Sequence, residues 1–310
     1  MKHPTLRVAI IQEGPVYLNL RQSMEKAEIL VGEAVSQQAE LIVFGETWLS
    51  GYPAWLDYCP DIALWGHEPT KSVFARMYQN AIAVPGNETR QIAQWAKRFG
   101  VTIVMGVNEK IERGPGTGTL YNSLLIFADN GQLAVHHQKL MPTFTEKLVY
   151  GHGQKPDLKT LATPAGNIGG LICWEHWMPL ARQTMHNAGE TIHIALWPAV
   201  HEMHQIASRH YAFEGRCFVI AAGQIMRVSD LPPELDLPDN LRATPDEMLL
   251  NGGSAIIAPD GFYDLKPQYE TEGILIHEID DLEQVIRERM TLDVTGHYQR
   301  PDIFDFKIRE

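Results

Sequence analysis

Short apolar runs along the chain alternate with longer stretches in which apolar residues recur every three or four positions. The first run, Leu6–Ile11, is followed by a stretch from Leu20 to Gln38 whose apolar side chains fall on one helical face. Asn19 and Gln22 resemble a capping arrangement at the start of this helix. The alternation predicts a sheet covered by helices, with the apolar helix face buried against the sheet.

The same criteria predict further elements along the chain. Helices are expected at residues 71–83 and 88–99, and strands at residues 41–44, 101–107, 120–127, 132–137, 168–172, 192–196, 218–222, 254–257 and 274–277. The turn residues Asp129, Asn130 and Gly131 indicate that two of these strands form a hairpin. A chain of 310 residues with this pattern is expected to form one domain, residues 1–310.

Two segments interrupt the alternation. Gly114, Gly116 and Gly118 are dense enough to suggest a phosphate-binding loop, but no helix and no Lys-Ser/Thr pair follows them, so a hairpin tip is the better interpretation. Residues 229–247 contain four prolines among acidic residues, which is typical of an exposed excursion that covers a pocket or a subunit contact.

Composition argues against several classes of protein. The chain has 38 acidic and 26 basic side chains, and the resulting charge of −12 disfavours nucleic acid and anionic membranes as partners. No apolar run approaches the length of a bilayer span and the first residues lack a secretory signal, so a cytoplasmic protein is expected. Cys59, Cys173 and Cys217 are odd in number and far apart, which argues against a disulfide framework or a cysteine-rich metal site.

Cys173 stands where chemistry is often found. It ends the apolar run 168–172 and precedes the segment WEHW, so its thiol lies at a strand end beside backbone amides that can stabilise an anion. Free cysteines are also among the most commonly buried residues, and local sequence alone leaves packing as the simpler explanation. Cys217, in an apolar run, is typical of a core residue, and Cys59 lies in an aromatic loop.

Two charged residues also follow predicted strands. Glu46 comes directly after the strand at 41–44, and the aromatic residues close behind it are typical of a pocket wall. Lys139 lies in the segment HQKLMPT, whose apolar neighbours suggest a partly enclosed loop, where an ammonium group requires a carboxylate partner. Taken alone, Lys139 is more simply explained as a surface residue, and Glu46 as a helix cap or a surface charge.

Three segments follow one another in an order that can be compared with known families. They are GETWLSGYP at 45–53, HQKLMPT at 137–143 with Glu146 just after it, and GGLICWEHWMPLAR at 169–182. This order resembles the Glu-Lys-Cys motifs of the nitrilase superfamily of carbon–nitrogen hydrolases. The segment CWEH at 173–176 is similar to the nitrilase and cyanide-degrading branch. The resemblance extends to Gly296-His297-Tyr298 near the end. Gly45 and Gln138 depart from the proline and arginine common in the family, and Gly45 is expected to loosen the placement of Glu46.

The resemblance implies both a fold and a catalytic set. The fold is a four-layer α-β-β-α sandwich of two mixed sheets flanked by helices. Glu46 is implied as the general base, Lys139 as the residue that stabilises negative charge, Cys173 as the nucleophile and Glu146 as a supporting residue. No metal or other cofactor is required, and family members associate as homodimers or higher homo-oligomers.

The implied reaction converts an organic nitrile into a carboxylic acid and ammonia through covalent intermediates on the thiol. Tyr52, Trp174, His176 and Trp197 are expected to contact this small-molecule substrate, because dense aromatic side chains suit an organic substituent. An amidase or a cyanide-degrading member of the same superfamily is the nearest alternative. A catalytically silent protein that binds a ligand on the same scaffold is an alternative of a different class.

Two alternative mechanisms would use histidine side chains, one as a partner of the thiol and one as metal ligands. His176 lies three residues after Cys173, so a cysteine–histidine hydrolase is conceivable. His201, His204 and the later His210 suggest a metal site, but their spacing differs from the His-Glu-x-x-His pattern that places both histidines on one helical face. A solvated helical face near the mouth of the pocket is the favoured interpretation of His201.

Overall fold

Strands and helices alternate along residues 4–154 and 156–308, the part of the chain that the computed structural model describes. The strands are β1 (Leu6–Ile11), β2 (Leu41–Phe44), β3 (Thr102–Lys110), β4 (Leu120–Phe127), β5 (Leu133–Gln138), β6 (Leu161–Thr163), β7 (Gly166–Ile172), β8 (Ile192–Leu196), β9 (Phe218–Ala222), β10 (Ile225–Arg227), β11 (Met248–Ile257), β12 (Tyr263–Tyr269) and β13 (Ile274–Ile279). The helices are α1 (Leu20–Ser36), α2 (Trp55–Tyr58), α3 (Glu68–Gln79), α4 (Asn87–Phe99), α5 (Pro179–Asn187), α6 (Glu202–Gly215), α7 (Asp239–Arg242) and α8 (Gln284–Arg289).

The strands form two mixed sheets, which confirms the predicted sandwich. Within the described residues the first sheet has the strand order β13-β1-β2-β3-β4-β5, and the second has the order β10-β11-β9-β8-β7-β6, with β12 paired to β11. In each sheet three central strands run parallel, β1-β2-β3 and β7-β8-β9, and antiparallel strands flank them. Helices α1 and α4 cover the first sheet, and α5 and α6 cover the second.

Burial on both faces explains why the central strands are mostly apolar. Val8 and Ile10 of β1 pack in the core between the sheets, whereas Ala9 and Ile11 pack against the helices of the outer layer. Successive side chains of a strand point to opposite faces, so a strand between two layers favours apolar residues at most positions. The sheets are in close contact near Gly170 of β7, where an added Cβ would lie 2.9 Å from Leu124 Cδ1 of β4.

Five predicted strands have the observed bounds at both ends, namely β1, β2, β4, β8 and β9. The Asn19 side chain accepts a hydrogen bond from the backbone N–H of Gln22, which confirms the predicted cap of α1. The pattern missed β6 and β10, which have three residues each, and β12, which contains Pro267. Proline lacks a backbone N–H and is tolerated here because β12 is an edge strand.

The two interrupting segments are both connections. Residues 111–119 join the antiparallel strands β3 and β4, as expected for a hairpin tip. Residues 229–247 join β10 to β11 and are largely exposed, although Leu231 and Leu235 pack into a core cluster. Among the described residues, no helix is long and apolar enough to span a membrane.

Candidate active site

Glu46, Lys139 and Cys173 meet at one end of the sandwich. Lys139 directly follows β5, Cys173 directly follows β7, and Glu46 lies two residues after the end of β2, so both sheets contribute to the site. Lys139 Nζ lies 3.0 Å from Glu46 Oε1 and 2.7 Å from Glu146 Oε2. One donor atom each from Glu46, Glu146 and Cys173 lies within 4.8 Å of the others, and all four residues are buried. The structure therefore brings together the residues that the sequence motifs singled out.

Glu46 is held from both sheets. Asn122 Nδ2, on β4, donates to Glu46 Oε1 at 2.7 Å, and Gln224 Nε2, beyond β9, donates to the Glu46 carbonyl at 2.7 Å. Within the described residues the second carboxylate oxygen, Oε2, has no hydrogen-bond partner. Burial, assisted by Glu146 and opposed by Lys139, raises the pKa of Glu46 to about 7. A carboxylate with that pKa is well matched to accepting a proton near neutral pH.

Lys139 is buried between two carboxylates. Its ammonium donates to Glu46 and to both oxygens of Glu146, and Tyr52 OH donates to Glu146 Oε1 at 3.0 Å. Although burial disfavours the ammonium, electrostatic interactions with Cys173, Glu46 and Glu146 raise the pKa of Lys139 well above its ordinary value. Lys139 is therefore a fixed positive charge rather than a proton acceptor.

The backbone at Cys173 is unusual. Cys173 has a φ of 52° and opens the 3₁₀ turn Cys173–Trp177, and left-handed conformations of residues other than glycine cluster at functional sites. Burial and the charge of Glu46 raise the pKa of Cys173 well above its ordinary value, while Lys139 and the backbone N–H of Trp174 oppose this rise. The resting thiol is therefore protonated, and a carboxylate oxygen of Glu46 and one of Glu146 lie within 4.8 Å of its sulfur.

The same carboxylates and thiol could also supply metal ligands. Glu46, Glu146 and Cys173 are donors that a divalent cation accepts, but Lys139 Nζ already lies 3.0 Å or less from both carboxylates. The ammonium therefore already occupies the position between the two carboxylates and offsets part of their negative charge. His201 and His204 lie elsewhere, on the cavity wall, and His204 Nδ1 donates to the Ala199 carbonyl at 2.7 Å.

Sequence reasoning missed Glu175, which ties the two halves of the site together. Its oxygens accept hydrogen bonds from the backbone N–H groups of Leu140 and Ile172, both at 2.7 Å, and from His137 Nε2 at 2.9 Å. Leu140 follows Lys139, and Ile172 precedes Cys173. Although burial opposes it, His137 and the two N–H groups lower the pKa of Glu175. The position of Glu175 inside the CWEH segment was the available signal.

A cavity of about 300 Å³ opens onto the thiol. Tyr52 and Trp174, both predicted to contact substrate, line it together with Cys173 and Glu146. Both polar and apolar residues form the rest of the cavity wall: Ala54, Asp57, Tyr58, Thr143, Phe144, Thr145, Pro198, Ala199, His201, His204, Leu249 and Leu250.

His176 and Trp197, the other two predicted substrate contacts, lie behind the cavity wall. Trp197 is fully buried and stacks on the rings of both His176 and His204. His176 Nδ1 donates to the Cys173 carbonyl at 2.6 Å, and its Nε2 faces His193 Nε2 at 3.0 Å. Because both ring nitrogens are occupied, His176 is not placed to accept the thiol proton, which argues against the cysteine–histidine mechanism.

The two departures from the family pattern have structural partners. An added Cβ at Gly45 would lie 3.4 Å from Gln224 Cβ, and Gln224 itself holds the Glu46 carbonyl. The expected loosening of Glu46 is therefore offset by this hydrogen bond from the other sheet. The Gln138 side chain donates to Glu109 Oε1 at 2.9 Å and lies away from the thiol.

Comparisons with known proteins agree with this geometry. A family model described as carbon–nitrogen hydrolase matches residues 7–288. The chain is 36% identical to an aliphatic nitrilase of Sinorhizobium fredii, covering 98% of this chain and 96% of the relative. It is 35% identical to a bifunctional nitrilase/nitrile hydratase of Lupinus angustifolius, covering 99% of this chain and 87% of the relative.

Solved structures support the same architecture. A branch 10 member of the nitrilase superfamily from Saccharomyces cerevisiae matches with a TM-score of 0.71 at 19% identity, covering 96% of this chain and 97% of that one. A carbon–nitrogen hydrolase from Helicobacter pylori matches with a TM-score of 0.67 at 20% identity, covering 97% of both chains. At these identities the likeness concerns the fold alone.

Proposed function

The chain belongs to the carbon–nitrogen hydrolase family, and from this premise we propose that it is a nitrilase that forms covalent intermediates on Cys173. The observation that carries the proposal is the convergence of a buried carboxylate with a pKa of about 7 and a buried ammonium beside a thiol that lines the cavity. A thiol nucleophile, a general base and a fixed positive charge are what addition to a C≡N group requires.

In the first half of the reaction Glu46 accepts the Cys173 proton while sulfur attacks the nitrile carbon. One π bond of the nitrile breaks, the new C–S bond forms, and the electron pair moves to nitrogen. Lys139 and the Trp174 backbone N–H stabilise the negative charge that develops there. Return of the proton from Glu46 to nitrogen gives a neutral thioimidate.

In the second half water adds to the thioimidate carbon with Glu46 as general base. Proton transfer to nitrogen lets the tetrahedral species expel ammonia and leaves a thioester on Cys173. A second water molecule hydrolyses this thioester, releases the carboxylic acid and restores the thiol. The sum is one nitrile and two water molecules to one acid and one ammonia, with no change of oxidation state.

The same tetrahedral species can expel the thiolate instead of ammonia, and the product is then an amide. A relative with 35% identity is named a bifunctional nitrilase/nitrile hydratase, which favours amide release as a second, minor activity. Chromatographic measurement of the amide-to-acid ratio from one nitrile tests this point. Free amide supplied as substrate should react more slowly than the nitrile if the amide leaves as a product.

The cavity favours an organic nitrile over cyanide. Its volume of about 300 Å³ is far larger than cyanide requires, and Tyr52, Tyr58 and Trp174 supply aromatic surface for a substituent. A panel of aliphatic, aryl and arylacetic nitriles, with cyanide included, tests this by the relative kcat/KM values.

Intact-protein mass analysis during turnover provides the decisive test. The expected result is an adduct on the Cys173 peptide with the mass of the acyl group, and no turnover by a folded Cys173→Ala variant. Cys59→Ala, which removes another buried thiol near the cavity, is the matched control and should retain turnover. Hydrolysis of the nitrile by Cys173→Ala at the wild-type rate would contradict the proposed function.

We further propose that the protein is a homo-oligomer built on the face that α5 and α6 present. Large apolar side chains are exposed there: Trp177, Met178, Leu180, Met203 and Ile206. Exposed apolar clusters of this kind commonly mark contact surfaces. Sedimentation velocity should show a dimer or a larger species, and the double substitution Leu180→Glu and Met203→Glu should shift the protein toward monomer.

A further inference from the structure

A buried polar network lies behind Cys173, and the proposed mechanism does not use it. His176, His193 and Glu190 are all at most 2% exposed. His176 Nδ1 lies 2.6 Å from the Cys173 carbonyl oxygen, the two Nε2 atoms of His176 and His193 are 3.0 Å apart, and His193 Nδ1 lies 2.8 Å from Glu190 Oε2. The three side chains therefore form an unbroken chain that starts at the nucleophile's own backbone.

The geometry determines how many ring protons this chain holds. A carbonyl oxygen only accepts, so His176 Nδ1 must carry a proton. Two imidazole nitrogens 3.0 Å apart need one proton between them, and His193 Nδ1 needs another to donate to the Glu190 carboxylate. Three protons on two imidazoles exceed the two of a neutral pair, so the pair carries one positive charge.

Glu190 is the negative partner of this charge. Although burial opposes it, His193 and His186 lower the pKa of Glu190 to about 2, so its carboxylate is ionised and accepts from His193. Tyr211 OH donates a short hydrogen bond to the other oxygen, Glu190 Oε1. Burial and the neighbouring His193 lower the pKa of His176.

Further hydrogen bonds and ion pairs hold the turn Cys173–Trp177 that carries the nucleophile. Arg182 donates to the His176 carbonyl at 3.1 Å and binds Glu214 at 2.7 Å, and His186 Nε2 lies 3.3 Å from Glu214. The titratable or charged groups that face the two imidazoles from the elements packed around them are Glu190, Tyr211, His186, His204, Glu214 and Arg182. The turn is thus held by ionic and hydrogen-bonded partners on its buried side.

We propose that His176, His193 and Glu190 form a positioning network that holds one buried proton, fixes the carbonyl of Cys173 and places a positive charge behind the nucleophile. This role rests on the proposed function, because it assumes that Cys173 is the nucleophile. The charge stabilises a thiolate at Cys173 relative to the thiol, since electrostatic interactions are strong in a buried site. The hydrogen bond to the carbonyl maintains the left-handed backbone that aims the sulfur.

The charge itself can be observed without any substrate. In the full chain labelled with ¹⁵N-histidine, one imidazole of this pair should keep both nitrogens protonated from about pH 6 to about pH 8, the range over which an ordinary histidine loses its proton. That signal should be lost in His193→Gln. Finding both imidazoles of the pair neutral in the wild-type protein at pH 7 would overturn the proposal, whatever the variants do.

The consequence for the nucleophile is tested with two variants that keep the shape of the site. His193→Gln retains a donor toward His176 but cannot carry the charge, and Glu190→Gln removes the anion that holds the proton. Each should slow iodoacetamide labelling of the Cys173 peptide and lower kcat by about tenfold, the effect of a shift of about one unit in the pKa of the thiol. KM should stay unchanged, and the double variant should lose little more, because the two residues act as one unit.

His277→Gln is the matched control, because His277 lies on β13 of the other sheet and pairs with Asp264. It should label and turn over like the wild type. If His193→Gln slows labelling of Cys173 while the wild type hydrolyses no nitrile, the positioning network is supported and the proposed nitrilase function is wrong. If Cys173 is required for turnover but folded His193→Gln and Glu190→Gln label and react at wild-type rates, the network is only structural and the proposal is wrong.

Discussion

The two sheets bring different kinds of chemistry to the same cavity. The first sheet supplies Glu46, Lys139 and Asn122, whose side chains form a compact set of opposite charges and hydrogen bonds. The second sheet supplies Cys173, a neutral thiol on a left-handed backbone whose carbonyl accepts a hydrogen bond from His176. The base and the nucleophile therefore become a catalytic pair only when the sheets pack together.

This difference indicates which kind of substitution would damage each half of the site. On the first sheet the dominant risk is an unpaired buried charge, since burial of a charge is tolerated only with partners. On the second sheet the dominant risk is misplacement of the sulfur, because small shifts of a nucleophile strongly reduce rates. Glu175 and Gln224 connect the two, through hydrogen bonds that cross between the sheets.

Lys139→Met breaks the charged half of the site and is expected to have the largest effect. It leaves Glu46 and Glu146 buried without their cation and removes the charge that stabilises the developing anion. Steady-state assays should show kcat reduced by about 10³-fold. Lys147→Met, which removes an exposed lysine from the same loop, is the control and should be neutral. A Lys139→Met enzyme with more than a tenth of wild-type kcat would contradict the assigned role.

Gly106→Ala displaces the base without changing any charge. Gly106 lies in β3 against the Glu46 loop, and an added Cβ would lie only 2.1 Å from the Gly45 carbonyl oxygen and 2.6 Å from Thr47 N. The loop must move, so kcat/KM is expected to fall by about 100-fold. Gly32→Ala in α1, where nothing lies within 4 Å of the new Cβ, should keep full activity and raise the melting temperature slightly. Equal activity of the two variants would refute the steric argument.

Glu175→Gln weakens the connection between the halves. A glutamine offers one acceptor oxygen where the carboxylate receives two backbone N–H groups, so the free energy of unfolding should fall by about 2 kcal/mol and kcat by about tenfold. Urea unfolding and steady-state rates measure the two effects, with the exposed Glu33→Gln as control.

The pH dependence of this stability loss has a definite sign. Because the pKa of Glu175 is lowered in the folded protein, its contribution is present above the ordinary glutamate pKa and is lost as the pH falls through the folded value. The stability difference between wild type and Glu175→Gln should therefore shrink in acid. A difference that stays constant down to low pH would count against an ionised Glu175.

Asn122→Leu tests the pKa of Glu46 and is expected to have the smallest effect. Asn122 donates to Glu46 and so favours the carboxylate, and its removal should raise the pKa of Glu46 further. Because Glu46 must be ionised to accept the thiol proton, the rising limb of kcat/KM near pH 7 should move about one unit toward alkaline pH. Asn240→Leu, at an exposed position, should leave the profile unchanged. If the rising limb does not move, it reports the ionisation of a group other than Glu46.

Much of the architecture followed from local pattern. Apolar runs bounded by turn residues were sufficient for β1, β2, β4, β8 and β9, because strands covered on both faces are apolar at most positions. Three-residue strands and a proline-containing edge strand were not visible in the same way. Their pairing depends on neighbours that are distant in sequence.

The catalytic candidates came from the order of three motifs, and their environment came from the fold. Lys139 and Glu46 are 93 residues apart in sequence, and only packing of the chain places their charges 3.0 Å apart. The aromatic count suggested four substrate contacts, but two of them, His176 and Trp197, lie behind the wall of the cavity. Composition cannot distinguish a ring that lines a cavity from one that supports it.

Residue types along the chain thus specify which groups are available: a thiol at a strand end, a glutamate and a lysine in enclosed loops, and histidines after the thiol. Their protonation and partners depend on burial and on atoms supplied by other strands, as Glu175, Asn122 and His193 illustrate. Hydrogen bonding and desolvation act over a few ångströms in space, not along the sequence. The pKa of Glu46 and the charge proposed behind Cys173 therefore arise only in the folded protein.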